Sequence, residues 1–467
     1  VLGNETSGAT RPIAICLHYL GGSAREWDLV ARHLGAHVEV VPIDLPGFGD
    51  ARETRGYTVD DMVAYVADAV RARQPQRWIL VGHSMGAKVA TVLASEIERG
   101  AHDLPGLAGI VTVAGSPPSP EPMDDAQREK MLGWFHGDAA ASDAQAREFV
   151  ASNSERLDAR SAELAVTDLL RAERSAWTAW LEHGSREDCS DRVGVLRTSA
   201  IAVAGADDPK LGPDAQQRLM LPHFATAQLL IVPHAKHLLP LECAQDVAGA
   251  ISLVLMNDLY HAMIASERVS TPTREASLAR ARPIDSGYQP KSVDRTAFET
   301  LRAVVDRVVP QAGTPRIDLA ARIDEQLHAG QSDGWRFAAL PPDPQAYAAA
   351  LATLDAAART RGAQSFAALE PAAQDDLLHG VAADASVDGT SDAAPPGRLN
   401  GEQLRLWFED LRADAIKAFT LHPQTLALMG YSGVANGGDG EPKSGFARIG
   451  LGEREPWEPV AFEDTSR

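Results

Sequence analysis

Six short apolar runs, rich in Val and Ile, recur between residues 12 and 234 with helical stretches between them. They are "PIAICLHYL" (12–20), "VEVVPIDL" (38–45), "RWILVGH" (77–83), "LAGIVTVAG" (107–115), "TSAIAVAG" (198–205) and "AQLLIVPH" (227–234). A strand that is apolar on both faces needs cover on both, as in a parallel sheet between two helical layers. The alternation over residues 11 to 260 therefore predicts an α/β fold with an open, mostly parallel sheet. It is interrupted once. Between residues 117 and 196 no strand-like run occurs, and "ELAVTDLLRAERSAWTAWLEHG" carries helical spacing. The breaker-rich "SPPSPEP" leads into this stretch, which predicts a helical lid over the carboxyl ends of the strands, where open α/β sheets bind ligands.

The first domain is expected to span residues 1–263. Residues 264–294 are polar, rich in Pro, Ser and Arg, and read as a linker. After them the strand pattern ceases. Over 295–452 the spacing is helical throughout: Phe298, Leu301, Val305 and Val308 or Val309 form one apolar stripe ended by Pro310. A second, all-α domain is predicted there, followed by an irregular tail over 453–467.

Lys and Arg number 44 against 64 Asp and Glu, a net charge of −20. Nucleic acids and anionic membranes bind basic patches, so this balance disfavours both. Cys16, Cys189 and Cys243 are scattered, with no CxxC pair, which points away from a disulfide framework or a zinc site and toward a reducing, cytoplasmic setting. No apolar stretch reads as long enough to span a membrane.

The chemistry concentrates at Gly82-His83-Ser84-Met85-Gly86, a G-x-S-x-G string between an apolar run and the helical "AKVATVLASEIE". A serine on so tight a turn exposes its hydroxyl as a nucleophile, and the flanking glycines leave room for the turn. The competing reading is a plain glycine turn with a helix-capping serine. The nucleophile needs a base, and His237 in "VPHAKHLLPLE" follows the last strand-like run; His234 is the rival. The base needs an orienting acid. "VAGADDPKLGP" offers Asp208, three residues past Gly205, with Asp207 as its neighbour. The backbone amides of Leu20, in "LHYLGGSAREW", and of Met85 are candidates for an oxyanion hole.

These motifs, with "DLPGFGDA" (44–51), make residues 11–260 resemble the α/β-hydrolase superfamily, in its broad esterase, lactonase and C–C hydrolase group. The resemblance implies a catalytic triad of Ser84, Asp208 and His237, an acyl-enzyme on Ser84, an ester or lactone substrate, and no cofactor or metal. The family's His-Gly pair is His18-Tyr19 here, which would crowd the oxyanion loop. Tyr19, Trp134, Trp177 and Trp180 are candidate substrate-binding residues, although lid aromatics often only anchor the lid.

Residues 295–452 resemble subunit 3 of gluconate 2-dehydrogenase. The resemblance is carried by "FETLRAVVDRVVPQ", "AYAAALATLD", "SFAALEPAAQDDLL", "WFEDLRADAIKAFTLHP" and "MGYSGVANGG". That subunit accompanies a large flavoprotein and carries no catalysis. A flavin-dependent oxidoreductase is therefore the implied partner. The alternatives are a chain that is only a non-catalytic adaptor or assembly subunit of such a dehydrogenase, a C–C bond hydrolase in the first domain, and a bundle that only stabilises or oligomerises that domain.

Overall fold

The computed structural model describes residues 11–282, 284, 288–311, 316–331, 334–383, 396–448, 450, 453–455 and 457–458. The chain divides into two compact units, residues 1–270 with 427–467, and residues 271–312 with 316–426.

In the first unit the six apolar runs form six strands: β1 (Ile13–Leu17), β2 (Glu39–Ile43), β3 (Trp78–His83), β4 (Leu107–Val113), β5 (Ala200–Gly205) and β6 (Ala227–Val232). All neighbours pair in parallel, in the order β2-β1-β3-β4-β5-β6. Every residue of β3 and β5 is buried, which is why neither run alternates polar with apolar. One layer contains α2 (Val59–Arg73) and α3 (Met85–Glu98), which bury Val63, Val66 and Leu93. On the other, α1 (Asp28–Leu34) and the helix Ala244–Ala265 pack Val30, Val247, Ile251 and Val254 with Val111 and Val203 of the sheet. The chain reverses its direction of winding around β1, which leaves a crevice at the carboxyl ends of the strands.

The expectation that no stretch is long and apolar enough to cross a membrane is corrected here. Helix Ala244–Ala265 has 22 residues and a mean hydropathy of 1.4, but most of it is buried inside this unit. Its apolarity comes from lying against the sheet.

Between β4 and β5 the predicted helical insertion consists of Asp125–Leu132, Ala139–Ser152, Ala159–Arg171, Arg174–Ala179 and Ser190–Val193, with a π-helical turn at Trp180–Gly184. Asp124, Asp138 and Asp158 start the first three of these helices, each accepting from the amides of the first turn.

The second unit is helical. Phe298, Leu301 and Val305 of Arg295–Val308 are buried, with Val309 just beyond, as the stripe predicted. They share a core with Leu351 and Leu354 of Asp343–Thr360 and with Trp407 and Leu411 of Gly401–Thr420. The supposed linker is partly helical, at Thr271–Ala281. Beyond that helix, Asp324 accepts from the Tyr288 hydroxyl at 2.7 Å and the amides of Lys291 and Ser292 at 2.6 and 3.0 Å, which ties the segment to the bundle. The bundle also ends earlier than expected, because residues from Ala427 onward belong to the first unit. There the Asn436 side chain takes the Ser270 amide at 2.9 Å, and Gly437 N–H donates to the Arg268 carbonyl at 3.0 Å. A glycine-rich segment without helical periodicity finds its backbone partners there. Most of the tail 453–467 lies outside the described residues.

Candidate active site

Ser84 stands between β3 and α3 at φ +50° and ψ −116°, a conformation that side chains other than glycine rarely adopt. The residues two positions to either side must be glycines. A Cβ on Gly82 would lie 2.4 Å from the Gly86 carbonyl oxygen, and one on Gly86 2.5 Å from that of Leu17. The turn is held by the Ser84 amide donating to Val113 O at 2.9 Å and by Ser116 N–H donating to Ser84 O at 3.0 Å. The capping alternative fails, since the Ser84 side chain caps nothing. Met85 is the first residue of α3, so its amide lacks an intrahelical acceptor.

Nδ1 of His237 lies 2.8 Å from Oδ2 of Asp208. Oδ1 of the same carboxylate accepts from the amides of Lys210 and Leu211 at 2.9 and 3.1 Å. Burial raises the Asp208 pKa, but the nearby His237 charge and these hydrogen bonds outweigh it and bring it to about 2. An ionised acceptor makes Nδ1 the donor, which leaves Nε2 as the nitrogen that can take a proton. His234 and Asp207 are both exposed. The loop carrying His237 is fixed by its amide, which donates to Asn153 O at 3.0 Å.

Ser84, Asp208 and His237 open onto one cavity of about 530 Å³. Leu20, Tyr19, Trp134 and Trp180 line it too. Trp177 and Met85 do not. Trp177 is buried, donates its Nε1–H to Met131 O at 3.0 Å and stacks on Trp134 at 6.3 Å, so it anchors the insertion and the pocket-lining expectation for it is corrected. Tyr19 stacks on Phe149 at 6.2 Å. His18 turns away from the cavity: its Nδ1 donates to Tyr19 O at 2.7 Å and its Nε2 accepts from Leu45 N–H at 3.0 Å.

The sequence reading missed Glu121, Phe149 and Lys210, all of which line the cavity. Glu121 sits in the breaker-rich "SPPSPEP", where only its turn-forming neighbours drew notice; it accepts from the Ser116 hydroxyl, and burial raises its pKa.

The alpha/beta hydrolase family model matches residues 14–250, about half of the chain. The chain belongs to the alpha/beta hydrolase family. The hydrolase is 29% identical, over 53% of its chain and 95% of the relative, to 2-succinyl-6-hydroxy-2,4-cyclohexadiene-1-carboxylate synthase of Serratia proteamaculans. It is 34% identical to the pimeloyl-[acyl-carrier protein] methyl ester esterase of Sodalis glossinidius, a match covering 24% of this chain and 40% of that protein. Among solved structures, an esterase from Exiguobacterium antarcticum aligns with 13% identity and a TM-score of 0.46, covering 53% of this chain and 93% of that one. Residues 295–438 of the hydrolase match the model of gluconate 2-dehydrogenase subunit 3.

Proposed function

We propose that this protein is a serine hydrolase of carboxylic esters, lactones included, acting through an acyl-enzyme on Ser84. The observation that carries the reading is the strained Ser84 turn opening onto the same cavity as a His237 held by ionised Asp208. Ser84 Oγ attacks the carbonyl carbon while its proton passes to Nε2 of His237. The amides of Leu20 and Met85 hold the oxyanion. As the intermediate collapses, the alcohol leaves with that proton. Water then attacks the acyl carbon, gives a proton to Nε2 and returns Ser84 to its hydroxyl form. The sum is ester plus water to acid plus alcohol, and a lactone opens to a single hydroxy acid. The esterase name of the Sodalis glossinidius relative supports the ester class. The test is labelling with a fluorophosphonate, followed by a panel of p-nitrophenyl esters and lactones. A Ser84 adduct that is lost in S84A is expected; folded protein without one overturns the reading.

The match over residues 295–438 favours a second role for the helical unit, docking a flavin-dependent oxidoreductase. Alcohol oxidation by flavoproteins yields lactones and carbonyl compounds, and tethering raises the effective concentration of a lactone-opening site beside its source. Recovery of the tagged full chain from its host with a flavin-absorbing protein is the expected outcome. A chain that only self-associates would sink this role.

A further inference from the structure

Beneath the Ser84 turn lies a buried pair that the proposed reaction does not use. His83, inside the G-x-S-x-G string, is 0% exposed, and Glu26, on the short helix Ala24–Trp27, is 2% exposed. His83 Nε2 is 2.9 Å from the backbone carbonyl oxygen of His237, and its Nδ1 is 3.1 Å from Oε1 of Glu26. A carbonyl oxygen only accepts, so Nε2 must carry a proton. In a neutral imidazole Nδ1 is then a bare lone pair, and its partner has to donate. A carboxylate cannot donate; a carboxylic acid can.

We propose that Glu26 is a positioning residue that works as a hydrogen-bond donor: as a carboxylic acid it holds His83 in the Nε2–H form, and that N–H holds the backbone of His237. The proposal rests on the serine-hydrolase reading above. The other bookkeeping, a carboxylate facing an imidazolium, puts two charges where water does not reach. The surroundings oppose it. Glu26 Oε2 is buried and makes no hydrogen bond of good geometry, a position more costly for an ionised oxygen than for a neutral one. The Tyr19 backbone nearby favours the charged form but does not outweigh burial. The titratable groups around the pair are Cys16 of β1, His18 and Tyr19 after it, Asp168 of the insertion, and Asp208 and His237 of the site itself. Burial raises the Glu26 pKa and lowers that of His83, in each case toward the uncharged form. The Glu26 turn is itself fastened to the insertion. Ser23 Oγ–H donates to Asp168 Oδ2 at 2.7 Å, and Arg25 pairs with the same carboxylate. A chain of bonds thus runs from the insertion through Glu26 and His83 to the backbone of the base.

Glutamine separates the two bookkeepings, since its amide donates like the acid but carries no charge. The full chain labelled with ¹⁵N at histidine is compared as wild type, E26Q and E26L, with His83 resonances assigned by their loss in H83Q. Wild type and E26Q should both show a neutral His83 protonated at Nε2. With a p-nitrophenyl ester, E26Q should keep kcat within about threefold, while E26L loses about 10²-fold in kcat at little change in KM. A doubly protonated His83 in wild type overturns the proposal. So does a loss in E26Q as large as that in E26L, or no loss in a folded E26L. If E26L does not fold, the nearly isosteric E26Q and the wild-type spectrum still decide. Fluorophosphonate labelling of the wild type is scored separately: its failure removes the hydrolase reading, while the tautomer spectrum still judges the Glu26–His83 pair.

Discussion

The ammonium of Lys88, on the helix that follows Ser84, donates to the carbonyls of Gly184 at 3.1 Å and Glu187 at 2.8 Å. Lys88 is fully buried and lies 5.9 Å from the Trp180 ring. The helical insertion is thereby tied to the nucleophile helix close to a residue that lines the cavity. Burial lowers the Lys88 pKa, with the Glu121 charge opposing. K88M should leave those carbonyls short of their donor and cost about 1–3 kcal/mol, read from urea unfolding. Because Trp180 then loses its support, KM for a bulky ester should rise more than kcat falls.

Asp208 and Asp207 are neighbours in sequence but differ in environment. D208N should retain the fold and lower kcat by about 10⁴ through the wrong imidazole tautomer. The exposed Asp207 touches neither His237 nor the cavity, so D207N should change kcat little. Steady-state rates with one p-nitrophenyl ester distinguish the two.

Gly82 and Gly86 leave no space for a methyl group because backbone atoms, which cannot rotate aside, occupy it. G82A and G86A should each destabilise by about 1–3 kcal/mol or more, as overpacking does. Thermal unfolding measures this, and an unchanged midpoint in either variant would contradict the turn geometry.

Two buried carboxyl groups should give opposite pH dependences. The Asp208 pKa of about 2 lies below its ordinary 3.8, so its contribution to stability is present above 3.8 and is lost as pH falls through about 2. Glu26 lies well above its ordinary 4.5, so the folded state binds the extra proton. Its contribution is full below pH 4.5 and declines as pH rises toward the folded value. Urea unfolding across this range should show wild type losing stability relative to E26Q on the alkaline side, and relative to D208N on the acid side.

Two stacked tryptophans of the helical insertion, Trp177 and Trp134, should also separate. Trp177 is enclosed by Trp134, Phe135 and Phe149, so W177A should act mainly on stability, by about 3–5 kcal/mol. W134A opens the cavity wall and should instead change the preference among acyl chains, measured as kcat/KM across an ester series.

Much of this was legible from sequence alone, because the physics concerned is local. A strand buried on both faces must be apolar at every position, so six runs announced six parallel strands. The Ser84 turn admits no side chain on either flank, so its two glycines stood in the string. The Phe298–Leu301–Val305 stripe likewise declares a helix through contacts within a few residues. The remainder depended on distances the sequence does not contain. Spacing past Gly205 singled out Asp208 over Asp207, but the packing of two loops is what brings that carboxylate to 2.8 Å from His237 and leaves the other in solvent. Trp177 and Trp180 share a helical face by spacing, yet Trp177 is enclosed by Trp134, Phe135 and Phe149, and of the two only Trp180 reaches the cavity. Glu26, on the short helix after β1, and His83, the last residue of β3, lie 57 residues apart. Their pairing required the assembled sheet, and the segment after Ala427 left the helical unit for partners at Arg268 and Ser270, because hydrogen-bond partners for buried groups exist only once distant elements have packed.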